Sequence, residues 1–335
     1  MEFTFFLGID VSKEKLDFAL NCGETLLFHQ VVENTPKALQ AFFKELLKIE
    51  GFSFEKTLAC LEHTGIYSNH ILNILFKKKA KVWLENAVQI KKSIGLVRGK
   101  SDKIDSKRIA AYAYDRRAKA KFWEPKRELV KKLAYFSTLR TNLVDAQKRL
   151  STSLKESSSF IEKSLAKTAK NVTSQSLTAL AKDIEKVENE IQSIIKSDPE
   201  LSRLFSQITS VKGVGPVIAN HVIIYTNEFK DISNPKKFAC YSGVAPFPDG
   251  SGKFKGKDRV SHFANKKMKA LLSMGATVAI QHDAELRNYF QRKTQDDKKD
   301  KSKVINAVRN KLILRIFACV NQNRKYEKNY IRTLA

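Results

Sequence analysis

This sequence predicts an α/β domain of the RNase H-like type, then a long helical hairpin, then a mainly α-helical C-terminal domain. Three observations carry the expectation. The apolar run Phe5-Phe6-Leu7-Gly8-Ile9 is a buried strand by composition and ends on a single carboxylate, Asp10. Two further strands follow at once: the alternating stretch from Lys15 to Leu20 and the stretch from Thr25 to Val32. Residues 126–196 then contain neither Gly nor Pro, yet keep apolar residues near heptad spacing.

The first domain follows in order. Asn34-Thr35-Pro36 is a helix start, with proline in the first turn. Leu39, Phe42, Phe43, Leu46 and Leu47 continue it at helical spacing. A short buried strand from Thr57 then ends on a second carboxylate, Glu62. The next helix turns Ile66, Ile71, Leu72 and Leu75 inward, and a strand over Lys81-Val82-Trp83-Leu84 completes a βββαβαβ order, a sheet layered with helices.

Ser101 is an N-cap by type, which puts Asp102 and Asp105 in the first turn of a helix and on one face. Each acid alone has a plain structural account, as a strand end or as a partner of the helix dipole. The four together suit hard divalent cations, namely two Mg²⁺ ions about 4 Å apart sharing carboxylate oxygens, with Mn²⁺ as a substitute. Arg98, Lys100, Lys103, Lys107 and Arg108 flank the acids and are candidates to hold phosphates.

Lys and Arg outnumber Asp and Glu by 61 to 35, a formal charge of +26 spread along all 335 residues. A polyanionic partner follows, with nucleic acid favoured over a membrane surface, because no apolar run approaches spanning length. The N-terminus shows no basic leader, and Cys22, Cys60, Cys240 and Cys319 are scattered without a CxxC pair. A cytoplasmic protein with reduced core thiols is expected, rather than a disulfide scaffold or a zinc site.

In the middle segment Leu129, Leu133, Phe136, Leu143, Leu150 and Leu154 keep an approximate heptad, and Leu177, Leu180, Ile184, Val187, Ile191 and Ile194 a clean one. The reversal falls at Ser157-Ser158-Ser159. Either a coiled coil that recruits a second subunit or an ordinary helical hairpin accounts for the pattern. Beyond it, Lys212-Gly213-Val214-Gly215 joins two apolar helices in the form of a helix-hairpin-helix, whose glycines would let backbone N–H groups reach a phosphate. The segment from Gly243 to His262 carries Gly250-Ser251-Gly252 in a loop, with Lys253, Lys255, Lys257 and Arg259 beside it. By chemistry alone a Gly/Ser loop is a flexible turn. Residues 293–301 are a polar, charge-dense loop, and Val304, Val308, Leu312, Ile316, Phe317 and Val320 mark the closing helix. The expected domains are 1–125, 126–200 and 201–335.

As a set and in this order, these motifs resemble the Piv-type DNA invertases and their insertion-sequence relatives, the DEDD transposases. They comprise Phe6-Leu7-Gly8-Ile9-Asp10-Val11-Ser12-Lys13, Glu62-His63-Thr64-Gly65-Ile66-Tyr67, Lys100-Ser101-Asp102-Lys103-Ile104-Asp105, Gly213-Val214-Gly215, and the Gly243-to-His262 segment. The resemblance implies a RuvC-like N-terminal domain with Asp10, Glu62, Asp102 and Asp105 as its Asp-Glu-Asp-Asp quartet. It also implies a serine nucleophile matching Ser251, with Ser242 and Ser261 in the same segment as alternatives. The implied partners are double-stranded donor and target DNA, a guide (bridge) RNA, and further copies of the chain in a dimer or tetramer, in a bacterial or archaeal cytoplasm. Two rivals stand beside this expectation: a RuvC-like junction endonuclease using the quartet and water without a covalent intermediate, and a non-catalytic nucleic-acid scaffold.

Overall fold

In the first strand, β1 (Phe5–Val11), every residue but Asp10 is buried, because helices cover both faces of the sheet. In the computed structural model, residues 2–62, 64–94, 102–248, 250–251, 254–256 and 259–328 are described. The chain divides into two compact units, Met1–Pro125 and Lys126–Ala335.

In the first unit β1 is followed by β2 (Lys15–Cys22) and β3 (Thr25–Glu33), then α1 (Pro36–Leu46), β4 (Thr57–Glu62), α2 (Asn69–Lys77) and β5 (Lys81–Glu85). The five strands form one sheet in the order β3-β2-β1-β4-β5. The first three run antiparallel, while β4 and β5 add on parallel through their helical connections. Thr35 caps α1 by accepting from the Ala38 N–H, with Pro36 at the first turn. Helix α3 (Ala87–Ile94) and helix α4 (Asp102–Arg116) close the unit.

Alternation along the strands sorts the sheet into two faces. Leu7, Ile9, Phe18, Leu39, Phe43, Leu61 and Ile71 build the core on the α1 and α2 side. Phe6, Leu58, Cys60 and Trp83 pack on the other side under Ile109, Tyr112 and Ala113 of α4. That second contact depends on Gly8. A Cβ built there would lie 2.2 Å from the Ser106 carbonyl oxygen and 2.3 Å from the Ala110 nitrogen. The backbone of α4 therefore rests directly on β1, two residues from Asp10.

The second unit is helical, apart from two short β pairs. Helices α5 (Glu128–Ser157) and α6 (Lys163–Lys196) form a hairpin, with Arg140 paired across it to Glu188 at 2.7 Å. Fully buried hydrophobic residues occur only toward its root, at Val130 and Leu133 of α5 and at Val187, Ile191, Ile194 and Ile195 of α6. These belong to the same core as the helices that follow: α7 (Pro199–Thr209), α8 (Pro216–Thr226), α9 (Pro235–Tyr241), α10 (Lys266–His282), α11 (Ala284–Gln291) and α12 (Lys301–Asn321). The hairpin expected as a separate middle domain is thus continuous in packing with the C-terminal helices. An ionic knot fixes its root. Arg127 donates to both Asp198 oxygens at 2.9 Å and to Glu228, a carboxylate buried in a corner where Asn227, Glu228 and Phe229 all take positive φ. Asp198 also caps α7, and the Arg127 guanidinium holds its carboxyl down at about 2.

Two local expectations are corrected. The loop expected over 293–301 begins inside one π-helical turn, Arg292–Asp296, closed by the Lys293–Asp297 ion pair. Of the four cysteines, all free thiols, only Cys60 and Cys319 are buried. Among the described residues no helix is long and apolar enough to cross a membrane.

Gly8→Ala tests the close approach of α4 to β1. The added methyl must push helix from strand, and overpacking of this kind costs about 1–3 kcal/mol or more. Denaturant unfolding of the full chain should show a loss in that range; an unchanged midpoint would refute the contact.

Candidate active site

The carboxylates gather because β1, β4 and α4 meet at one edge of the sheet. Strands β1 and β4 are parallel, with Ile9 opposite Leu61, so Asp10 and Glu62 leave the sheet as neighbours. By alternation both side chains share the face of Phe6 and Cys60, the face that α4 covers. Asp102 and Asp105 lie in the first turn of α4, immediately before Ser106, whose carbonyl rests on Gly8.

The surroundings act on Asp10 in one direction. Burial pushes the Asp10 carboxyl up to about 6, and the charges of Asp102, Asp105, Glu62 and Asp17 push in the same direction. Basic side chains answer part of that charge. Lys15 Nζ lies 2.9 Å from Asp102 and 3.5 Å from Asp17, and Arg108 Nη1 donates to Asp105 at 3.1 Å. Arg108, a candidate to hold phosphate, is thus paired with Asp105. As the side chains stand, no three His, Cys, Asp or Glu among the described residues form a ready metal cluster. The donor set nevertheless fits a hard divalent cation. Four carboxylates share a site that already raises the proton affinity of one of them, and a cation relieves the same repulsion.

Three participants escaped the sequence reading. Asp17 stands opposite Asp10 in the antiparallel ladder and is buried, with His29 Nε2 3.0 Å from its Oδ1 and Lys15 beside its other oxygen. The signal was available in the register: in a tight β1–β2 hairpin, Lys15 and Asp17 fall on the Asp10 face.

The other expected residues lie elsewhere or outside the described residues. Arg98, Lys100, Ser101, Lys253 and Lys257 fall outside them. Lys103 is exposed and Lys107 half-buried on α4. Ser251 sits in the second unit in a two-residue strand opposite Phe254, next to Lys255, and Arg259 belongs to a second small pair facing Phe247. Of the alternative serines, Ser242 is fully buried and donates to the Phe238 carbonyl at 2.8 Å, as a residue closing α9 does. Ser261 Oγ accepts from the Phe263 N–H at 3.2 Å. Burial therefore removes Ser242 from the candidates.

The glycine turn between α7 and α8 divides its duties. Lys212 is exposed and Gly215, at the start of α8, faces open space. Gly213, with φ +87°, is instead pressed on α10, where a Cβ would meet the Gly275 carbonyl at 2.5 Å. That face of Gly213 serves helix packing.

The raised Asp10 pKa has a definite sign. The folded-state value of about 6 lies above the ordinary 3.8, so the ionised group opposes folding; this cost grows from about pH 4 and is complete above about pH 6. In metal-free buffer Asp10→Asn should therefore gain about 1–2 kcal/mol of stability between pH 4 and pH 8 relative to the parent. Urea unfolding at the two pH values measures this, and parallel pH profiles would refute the raised Asp10 pKa.

The chain is similar to known proteins over most of its length. The family model described as Transposase IS116/IS110/IS902 family matches residues 206–291, and a DEDD transposase model of the IS110 type matches residues 7–157. The pilin gene-inverting proteins of Moraxella bovis and Moraxella lacunata are each 23% identical over 329 residues, covering 96% of this chain and 98% of theirs. The solved structure of T. thermophilus RuvC in complex with Holliday junction substrate aligns at 15% identity and a TM-score of 0.29, over 36% of this chain and 99% of that one. One transposase model matches the sheet domain that holds the quartet and the other the helical segment that holds Ser251, so the chain belongs to the IS116/IS110/IS902 family of transposases, enzymes that cut and rejoin DNA.

Proposed function

We propose that this chain is the site-specific recombinase of a mobile element, cutting and rejoining DNA through a covalent bond to Ser251. The observation that carries it is the meeting of Asp10, Glu62 and the first turn of α4 at one sheet edge, in a chain that also presents Ser251 among basic residues. Asp10, Glu62, Asp102 and Asp105 would hold Mg²⁺, or Mn²⁺ in its place, and the ions supply Lewis-acid polarisation of the scissile phosphate.

The remaining chemistry belongs to the chain itself. Ser251 Oγ attacks phosphorus, the Oγ–P bond forms as the P–O3′ bond breaks, and a free 3′-hydroxyl leaves. After strand exchange the 3′-hydroxyl of the other strand attacks the phosphoserine, restoring a phosphodiester and the serine hydroxyl. The proton lost by Ser251 passes to solvent, because the carboxylates that hold the cation would not be free to take it. Bond energy is conserved throughout, so no nucleotide cofactor is required.

Lys103, Lys107, Lys212, Gly215, Lys255 and Arg259 would contact nucleic-acid backbone, in keeping with the +26 charge. Donor and target duplexes would be selected by a guide RNA from the same element rather than by side chains. The quartet and Ser251 lie in different units, an arrangement suited to an active site completed between subunits of a dimer or tetramer.

One assay separates this reading from its rivals. Full-length protein, Mg²⁺ and labelled DNA with its guide RNA are incubated and resolved under denaturing conditions. A covalent adduct lost in Ser251→Ala supports the proposal. Free cut ends without an adduct would support the junction endonuclease, and no cleavage with binding intact would support the scaffold. Mixed assemblies of Asp10→Asn and Ser251→Ala chains, each inactive alone, should regain activity; verified mixtures that stay inactive would show that each chain works by itself.

A further inference from the structure

We propose that Lys15 is a positioning residue of the carboxylate site: its ammonium holds Asp102 toward β2, and a divalent cation must take that carboxylate from it. The inference rests on the metal-site reading above and names a residue that reading does not use.

Its backbone is fixed where the β1–β2 turn closes. The Ser12 hydroxyl donates to the Lys15 carbonyl at 2.7 Å and accepts from the Lys15 N–H at 3.3 Å, while the Ser12 N–H donates to the same carbonyl at 3.0 Å. From this anchor the side chain reaches two carboxylates of very different freedom. The Asp17 side chain is only 5% exposed and is held on its other oxygen by His29. The Asp102 side chain is 54% exposed and stands in the first turn of a helix, so it can turn without disturbing the core. Lys15 is thus tethered to a fixed acid and holds a free one.

That asymmetry gives the contact a direction. With four carboxylates and Asp17 at one edge, a positive charge stabilises the arrangement, and Lys15 supplies one across β2 and α4. A divalent ion placed among Asp10, Glu62 and α4 offers Asp102 twice that charge and displaces the ammonium. Asp105 is held within its own helix, three residues from Arg108, so it lacks the same cross-element link. The exchange therefore centres on Asp102.

The experiment is a Mn²⁺ titration of the full chain by calorimetry, with free Mn²⁺ followed by electron paramagnetic resonance. Lys15→Met should bind Mn²⁺ about two- to fivefold more tightly than the parent, the range for loss of one competing exposed ion pair. Lys15→Arg, which keeps the charge and the reach, should bind like the parent. The side chain is 46% exposed, so both variants should fold, and circular dichroism verifies this. Unchanged or weaker Mn²⁺ binding by Lys15→Met, with normal binding by the parent, would overturn the inference and leave the metal site standing. A parent whose titration matches that of Asp10→Asn would overturn the metal site itself, and the role of Lys15 with it.

Discussion

The gathering of Asp10, Glu62, Asp102 and Asp105 in the first unit depends on the contact between Gly8 and α4. With no side chain on Gly8, the Ser106 carbonyl and the Ala110 nitrogen lie where a Cβ would be. A helix that close carries its own first turn to the end of β1, so the acids of α4 arrive beside Asp10. Parallel pairing of β1 with β4 brings Glu62 to the same place. Three elements distant in sequence are thereby brought together by one missing methyl group and one strand register. Trp83 and Tyr112, with ring centroids 5.0 Å apart, and the Tyr112 hydroxyl donating to Glu85 at 3.1 Å, hold the far end of the helix against β5.

Such convergence concentrates negative charge, and the chain manages it with graded partners. Asp17, the most buried of these acids, is matched by His29 and Lys15. Asp105 is matched within its own helix by Arg108 and Asp102 across elements by Lys15. Asp10, at the centre, feels the burial and the charge of the others, hence its raised proton affinity. Burial first and the neighbouring charges second raise the proton affinity of Asp10, and a metal ion would relieve the second of these. The second unit meets charge differently. There Arg127 lies between Asp198 and Glu228, and the ion pairs serve to lock helices rather than to leave a carboxylate available.

Much of this was legible in the sequence, and the gaps have physical causes. Strand ends on Asp10 and Glu62, and the acid pair opening α4, were visible because they follow local rules of periodicity and capping. The same rules mark the two long helices α5 and α6. Asp17 and Lys15 were missed because their membership depends on the register of the β1–β2 hairpin, which no single strand encodes. A glycine turn looks alike in sequence whether or not another helix lies against it, so the packing of Gly275 and Ala279 on Gly213 is visible only in the fold. The hairpin was set apart as a domain because its heptad is continuous, whereas burial is concentrated at the root that shares a core with α7 to α12.

The central claim is that four carboxylates from β1, β4 and α4 constitute one cation site. The direct measurement is the anomalous scattering of Mn²⁺ in crystals of the full-length protein. Manganese should appear at the edge where β1 meets β4, bonded to Asp10 and Glu62 and to at least one of the two aspartates of α4. Manganese bound elsewhere, or at that edge without Asp10, would contradict the account.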